Sequence, residues 1–148
     1  MEGKLIWSIF WALVGAFVVI VCLFTIPAAR ELLMGSLFLI TSGVVLFVLG
    51  GVLIFLTVRQ KVGELSKTFL LFTGASALGI PVGAALHNLV YGLFIYWFGE
   101  GFWDRIGLGD EPVFLIMAIF ICPLGFLVGA VGSIVLAVKK HGQRSAQP

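Results

Sequence analysis

Four long apolar runs, separated by short charged clusters, organise the chain: Leu5–Ile26, Leu32–Val58, Thr68–Phe98 and Pro112–Val138. None of them contains Asp, Glu, Lys or Arg. A helix needs about 20 apolar residues to cross a hydrocarbon core of roughly 30 Å, so each run suffices for one passage and none for two. Backbone groups must be paired within lipid, which leaves helices or a closed barrel. Barrel strands alternate apolar and polar positions over about ten residues, and these runs are continuously apolar. The pattern predicts an all-α, four-helix transmembrane bundle.

The connections arrange the helices as two hairpins. The segment PAARE (27–31) closes the first, with Pro27 suited to ending its leading helix. The segment GEGFWDRIGLGDE (99–111) closes the second, and RQKVGELSK (59–67) joins the two. The first run is too long for the roughly 7–15-residue core of a signal peptide and is expected to stay in place.

Composition sharpens this picture. Hydrophobic residues make up 61% of the 148 positions and charged residues 11%. Soluble domains carry about 25% charged residues, so a water-soluble globule is excluded, and disorder with it. Seven of the nine Lys/Arg (Lys4, Arg59, Lys61, Lys67, Lys139, Lys140 and Arg144) lie on one side of the four-helix scheme, and Arg30 and Arg105 on the other. By the positive-inside rule both termini and the 59–67 loop face the cytoplasm. The opposite side gathers Glu31, Glu100, Asp104, Asp110 and Glu111. Cys22 and Cys122 both fall inside helices, without disulfide or metal-ligand spacing.

Small residues mark the expected packing faces. In lipid, helix association depends on close approach of backbones, which Gly, Ala and Ser permit. The third helix carries Ala75, Gly79 and Gly83 at four-residue spacing. The fourth carries Gly125, Gly129 and Ser133. The second carries Ser36, Gly43 and Gly50 at heptad spacing. They are read as packing within one bundle, with a seam between copies as the alternative. Pro81 and Pro123 lie within helices and are expected to kink them, each removing a backbone donor and crowding the preceding turn.

His87 and Asn88 are the strongly polar side chains within the spans. Continuing the third-helix stripe by fours from Ala75 places His87 and Tyr91 on its face, making His87, Asn88 and Tyr91 the candidate polar site. About 20 residues separate Lys67 from His87, or roughly 30 Å of helix, which puts the imidazole near the outer headgroups. There it is expected to bridge helices or meet the interface. One His without a second ligand gives no metal site. The acidic 100–111 loop matches no Ca²⁺ motif and reads as a solvated face. No cofactor motif, nucleophile–base set or nucleic-acid signature is readable.

The stretches GASALGIPVGAALHNLVYGLF and DEPVFLIMAIFICPLGFLVGAVGSIVL, covering roughly the C-terminal half, resemble a group of small uncharacterised prokaryotic multi-pass membrane proteins. That resemblance implies a prokaryotic plasma membrane and no particular activity. The sequence therefore favours a non-enzymatic scaffold or accessory subunit whose Gly-rich helix faces pack against one another. Its expected partners are the lipid bilayer, further copies of itself or a larger membrane protein, and not nucleic acid. The alternative is a small homo-oligomeric channel or transporter lined by the kinked third and fourth helices.

Overall fold

The computed structural model describes residues 2–27 and 36–145. Four helices are long and apolar enough to cross a membrane. Helix α1 spans Glu2–Thr25, α2 Ser36–Arg59 and α3 Glu64–Phe98. After a short helix α4 (Phe102–Arg105), the fourth crossing runs without a break through α5 (Pro112–Ile116), a π-helical turn (Met117–Ile121) and α6 (Cys122–Ser145). No strand occurs among the described residues, and the chain is an all-α four-helix bundle. The turn expected at 27–31 lies, apart from Pro27, outside the described residues.

Helix α3 is the central element. It packs on α2 along one side and on the fourth crossing along another, while α1 packs on α2. Accordingly 33% of its most apolar window is buried, against 17% in α2. The remaining faces carry large apolar side chains outward, among them Leu37, Ile40, Phe55, Phe120 and Val131. Lipid solvates such residues as well as a protein core would, so their exposure carries no penalty in a membrane.

Two modes of packing hold the bundle. Between α2 and α3 the backbones meet: a Cβ added at Gly50 would stand 2.9 Å from the carbonyl oxygen of Gly74. Between α3 and the fourth crossing, small residues oppose one another along the whole length. Gly83 faces Ala118, Gly79 faces Cys122, Gly125 faces Ser76, Gly129 faces Thr73 and Gly132 lies against the Phe69 ring. Ser133 of α6 is buried, its hydroxyl without a hydrogen-bond partner among the described residues. Gly43 sits beside Pro81, and Ser36 is the first residue of α2. Helix α1 instead inserts Ile6, Phe10, Leu13 and Phe17, all buried, and the Phe17 ring stacks on Phe126 of α6 at 4.2 Å.

Ala75 departs from the expected stripe, since it is exposed while Thr73, Gly74, Ser76 and Ala77 are buried. A four-residue step overshoots a helical turn by about 40°, so a stripe drawn by fours through Gly79, Gly83 and His87 has rotated off the interface by Ala75. The interface follows mixed steps through Phe69, Thr73, Ser76, Gly79 and Gly83.

The prolines are accommodated differently. Pro81 lies inside α3, which runs unbroken from Glu64 to Phe98. Pro123 follows the π-helical turn, in which the Cys122 N–H bonds the Met117 carbonyl five residues back. In a straight α-helix the Pro123 ring would crowd the carbonyl of Ile119. The wider turn relieves that crowding and absorbs one surplus residue. It also keeps Phe114, Ala118 and Cys122, four apart, on the face that meets α3.

Candidate functional site

The polar site is assembled where α3 passes the start of α5. The connection back from α3 begins at Gly99, whose φ of 85° is open to glycine and closed to most side chains. The Arg105 guanidinium donates to the Phe98 carbonyl at 2.6 Å, placing a cation at the negative end of the α3 dipole. Helix α4 thereby folds back along the last turns of α3. Trp103 is buried, its ring parallel to that of Tyr91 at 6.0 Å, and its indole N–H donates to the Tyr91 carbonyl at 3.3 Å.

Glu111 then caps α5. Its Oε1 accepts from the backbone N–H of Val113 and Phe114, and its Oε2 also accepts from Phe114. Pro112 occupies the first helical position, where its missing N–H leaves no bond unmade. Asp110 Oδ1 in turn accepts from the Glu111 N–H at 2.7 Å. Glu111 is only 3% exposed. The expectation of a wholly solvated acidic loop therefore fails at this residue, because satisfying the orphan N–H groups of a helix start draws its carboxylate inward.

His87 completes the cluster. Its Nδ1 lies 3.0 Å from the Glu111 carbonyl oxygen and 3.3 Å from Glu111 Oε2. A carbonyl has no proton to give, so Nδ1 carries the hydrogen and donates. The other ring nitrogen, Nε2, stands 3.7 Å from Asp110 Oδ1. Both carboxylates thus stand within ion-pairing distance of the ring, one at each nitrogen. The ring is sandwiched on one side by Tyr91, whose centroid is 6.4 Å away. The stack His87–Tyr91–Trp103 thus joins α3 to α4, and the His87–Glu111 bond joins α3 to α5.

Among the sequence candidates, the structure brings His87 and Tyr91 together and leaves Asn88 apart. Asn88 is exposed, and its amide donates to the Ala84 carbonyl of its own helix at 2.8 Å. Three residues that the sequence reading did not place beside His87 share the site: Asp110, Glu111 and Trp103. The Glu-Pro pair at 111–112 was the available signal, since Pro at a first helical position puts the residue before it at the cap. Among the described residues no three His, Cys, Asp or Glu side chains converge as a metal ion would require.

Mechanically the cluster fastens the second hairpin to α3. No protein-family model, curated protein or solved structure matches this chain.

Proposed function

We propose that the protein is a non-enzymatic membrane scaffold or accessory subunit, seated in a prokaryotic plasma membrane with both termini cytoplasmic. The observation that carries this reading is the direction in which its polar and small residues point. Gly50, Gly74, Gly79, Gly83, Gly125 and Gly129 are all used against other helices of the same chain. His87 is bonded to Glu111, Thr73 to the Phe69 carbonyl and Asn88 to that of Ala84. What the bundle presents outward is a broad apolar surface suited to lipid or to another membrane protein. The orientation rests on the Lys/Arg excess at one end of the bundle.

Extraction in a mild detergent followed by affinity purification tests the reading. A second membrane protein recovered in fixed proportion is the expected result, and recovery of this chain alone overturns it. The transport alternative predicts solute or ion flux through proteoliposomes that falls with His87→Ala. No flux in either form is expected here.

A further inference from the structure

We propose that the basic end of the bundle is a binding site for an anionic phospholipid. Three distant parts of the chain meet there: the first turns of α1, the connection between α2 and α3, and the last turns of α6. They line an open cavity of about 950 Å³. Arg59, Lys61, Lys139 and Lys140 stand in its wall. Among the side chains the structure describes, no Asp or Glu lies within 4.0 Å of any of these four cations. The Arg59 guanidinium lies 4.5 Å over the Phe55 ring, a contact that orients it. Gln60, Ser66 and Gln143 add neutral hydrogen-bonding groups, and Ile6, Leu70 and Leu136 give the cavity an apolar floor. Four like charges around one hollow repel each other, and a phosphate with its several acceptor oxygens relieves that repulsion.

A second hollow decides which phosphate. It measures about 250 Å³, lies between α1 and α6, and is lined by Trp7, Trp11, Ile134, Ala137 and Val138, none of them charged. It shares Trp7 and Ala137 with the basic cavity. A basin of cations thus adjoins an apolar groove along two membrane-spanning helices. A soluble phosphate compound uses only the basin. A phospholipid uses both, its headgroup among the cations and an acyl chain along Trp7 and Trp11. Basic pockets between helix ends are the expected receptors for such headgroups.

The test is native mass spectrometry of the full chain in neutral detergent micelles doped with equal amounts of phosphatidylglycerol and phosphatidylcholine. Each cation near an anionic headgroup strengthens binding by roughly fivefold, so phosphatidylglycerol should be retained at least tenfold more than phosphatidylcholine. Lys139→Ala with Lys140→Ala should reduce that retention about tenfold or more, and Lys139→Arg with Lys140→Arg should preserve it. Lys67→Ala removes a cation of the same end that lies outside the cavity, and should change retention little. Excess inorganic phosphate, or the deacylated headgroup glycerophosphoglycerol, should leave the lipid bound. Equal retention of the two lipids overturns the proposal. So does equal loss from Lys67→Ala, which would reduce the effect to general surface charge. Displacement by either soluble phosphate would assign the cavity to a soluble ligand and overturn it as well.

Discussion

The α3–α6 seam and the docking of α1 solve the same problem with opposite materials. Along the seam the contacts are Gly on Ala, Gly on Thr and Gly on Ser, and two backbones run nearly in touch. Helix α1 enters the bundle through Phe10, Leu13 and Phe17, while its one Gly in the middle of the span, Gly15, has nothing within 4 Å of where a Cβ would stand. In water the large side chains of α1 would dominate, because their removal from solvent drives folding. In lipid that drive disappears, and what remains is how closely atoms approach and how many polar groups are satisfied. The seam is therefore the stronger joint, although it buries the smaller residues. The two regions should respond in opposite ways to change: the seam to added atoms, α1 to removed ones.

The largest expected effect comes from adding one methyl to the seam. A Cβ at position 129 would lie 2.5 Å from Thr73 Oγ1 and 2.8 Å from the Thr73 backbone nitrogen. The second of these cannot yield without moving the helix. Gly129→Ala should destabilise the bundle by about 3 kcal/mol, read as an earlier transition in a sodium dodecyl sulfate titration followed by tryptophan fluorescence. Phe10→Ala is the matching cut in α1. Truncating a buried Phe in a soluble protein costs about 3–5 kcal/mol, part of it transfer out of water. Only the packing part survives in a bilayer, so a loss of about 2 kcal/mol is expected in the same titration, and a loss as large as that of a soluble core would contradict the comparison.

Two further variants test buried polar groups of the fourth crossing. Glu111→Ala removes the α5 cap and the Oε2 partner of His87, and should cost about 1.5 kcal/mol, with faster amide hydrogen exchange at Val113 and Phe114. Exchange unchanged at those two amides would show that packing alone holds the outer end. Ser133→Ala keeps the small size and removes a buried hydroxyl that has no partner, so it should stabilise by about 1 kcal/mol. Destabilisation would mean that the hydroxyl, not the smallness, matters there. The smallest effect is reserved for Gly15→Ala, where open space and better helix propensity leave stability within about 0.5 kcal/mol of the parent or slightly above it.

Much of this architecture is legible in the sequence because hydrocarbon imposes so coarse a rule. A run of some 20 residues without a charge, as in Leu5–Ile26, can be little else than a crossing. The ends are less legible: α3 begins at Glu64 rather than Thr68, since Glu64 and Lys67 can sit in a helix that has left the hydrocarbon. Faces are harder again. Gly79, Gly83, Gly125 and Gly129 can be read as packing residues from their size, yet which neighbour each meets depends on a rotation that Ala75 shows cannot be extended by fours. The His87–Glu111 bond spans 24 positions and exists only because the second hairpin has its particular register. That register depends on Trp103 folding back on Tyr91, and nothing in the local pattern of GEGFWDRIGLGDE states it. The basic cavity was visible only as scattered charges, because its walls come from three separated segments.

The π-helical turn before Pro123 has a consequence for how the chain tolerates changes of length. It holds one residue more than an α-turn of the same height, so the fourth crossing carries a spare. Excising Phe120, whose side chain is 61% exposed, would let the turn tighten toward ordinary α-helix while Phe114, Ala118 and Cys122 kept their places, the cost being a Pro123 ring set against the Ala118 carbonyl, which a local bend can relieve. The same excision at Val128, within regular helix, would swivel one half of the crossing against the other by about 100° and unmatch every pair on one side of the cut. A length variant of this protein should therefore be found shorter at 117–121 before it is found shorter anywhere else in that helix.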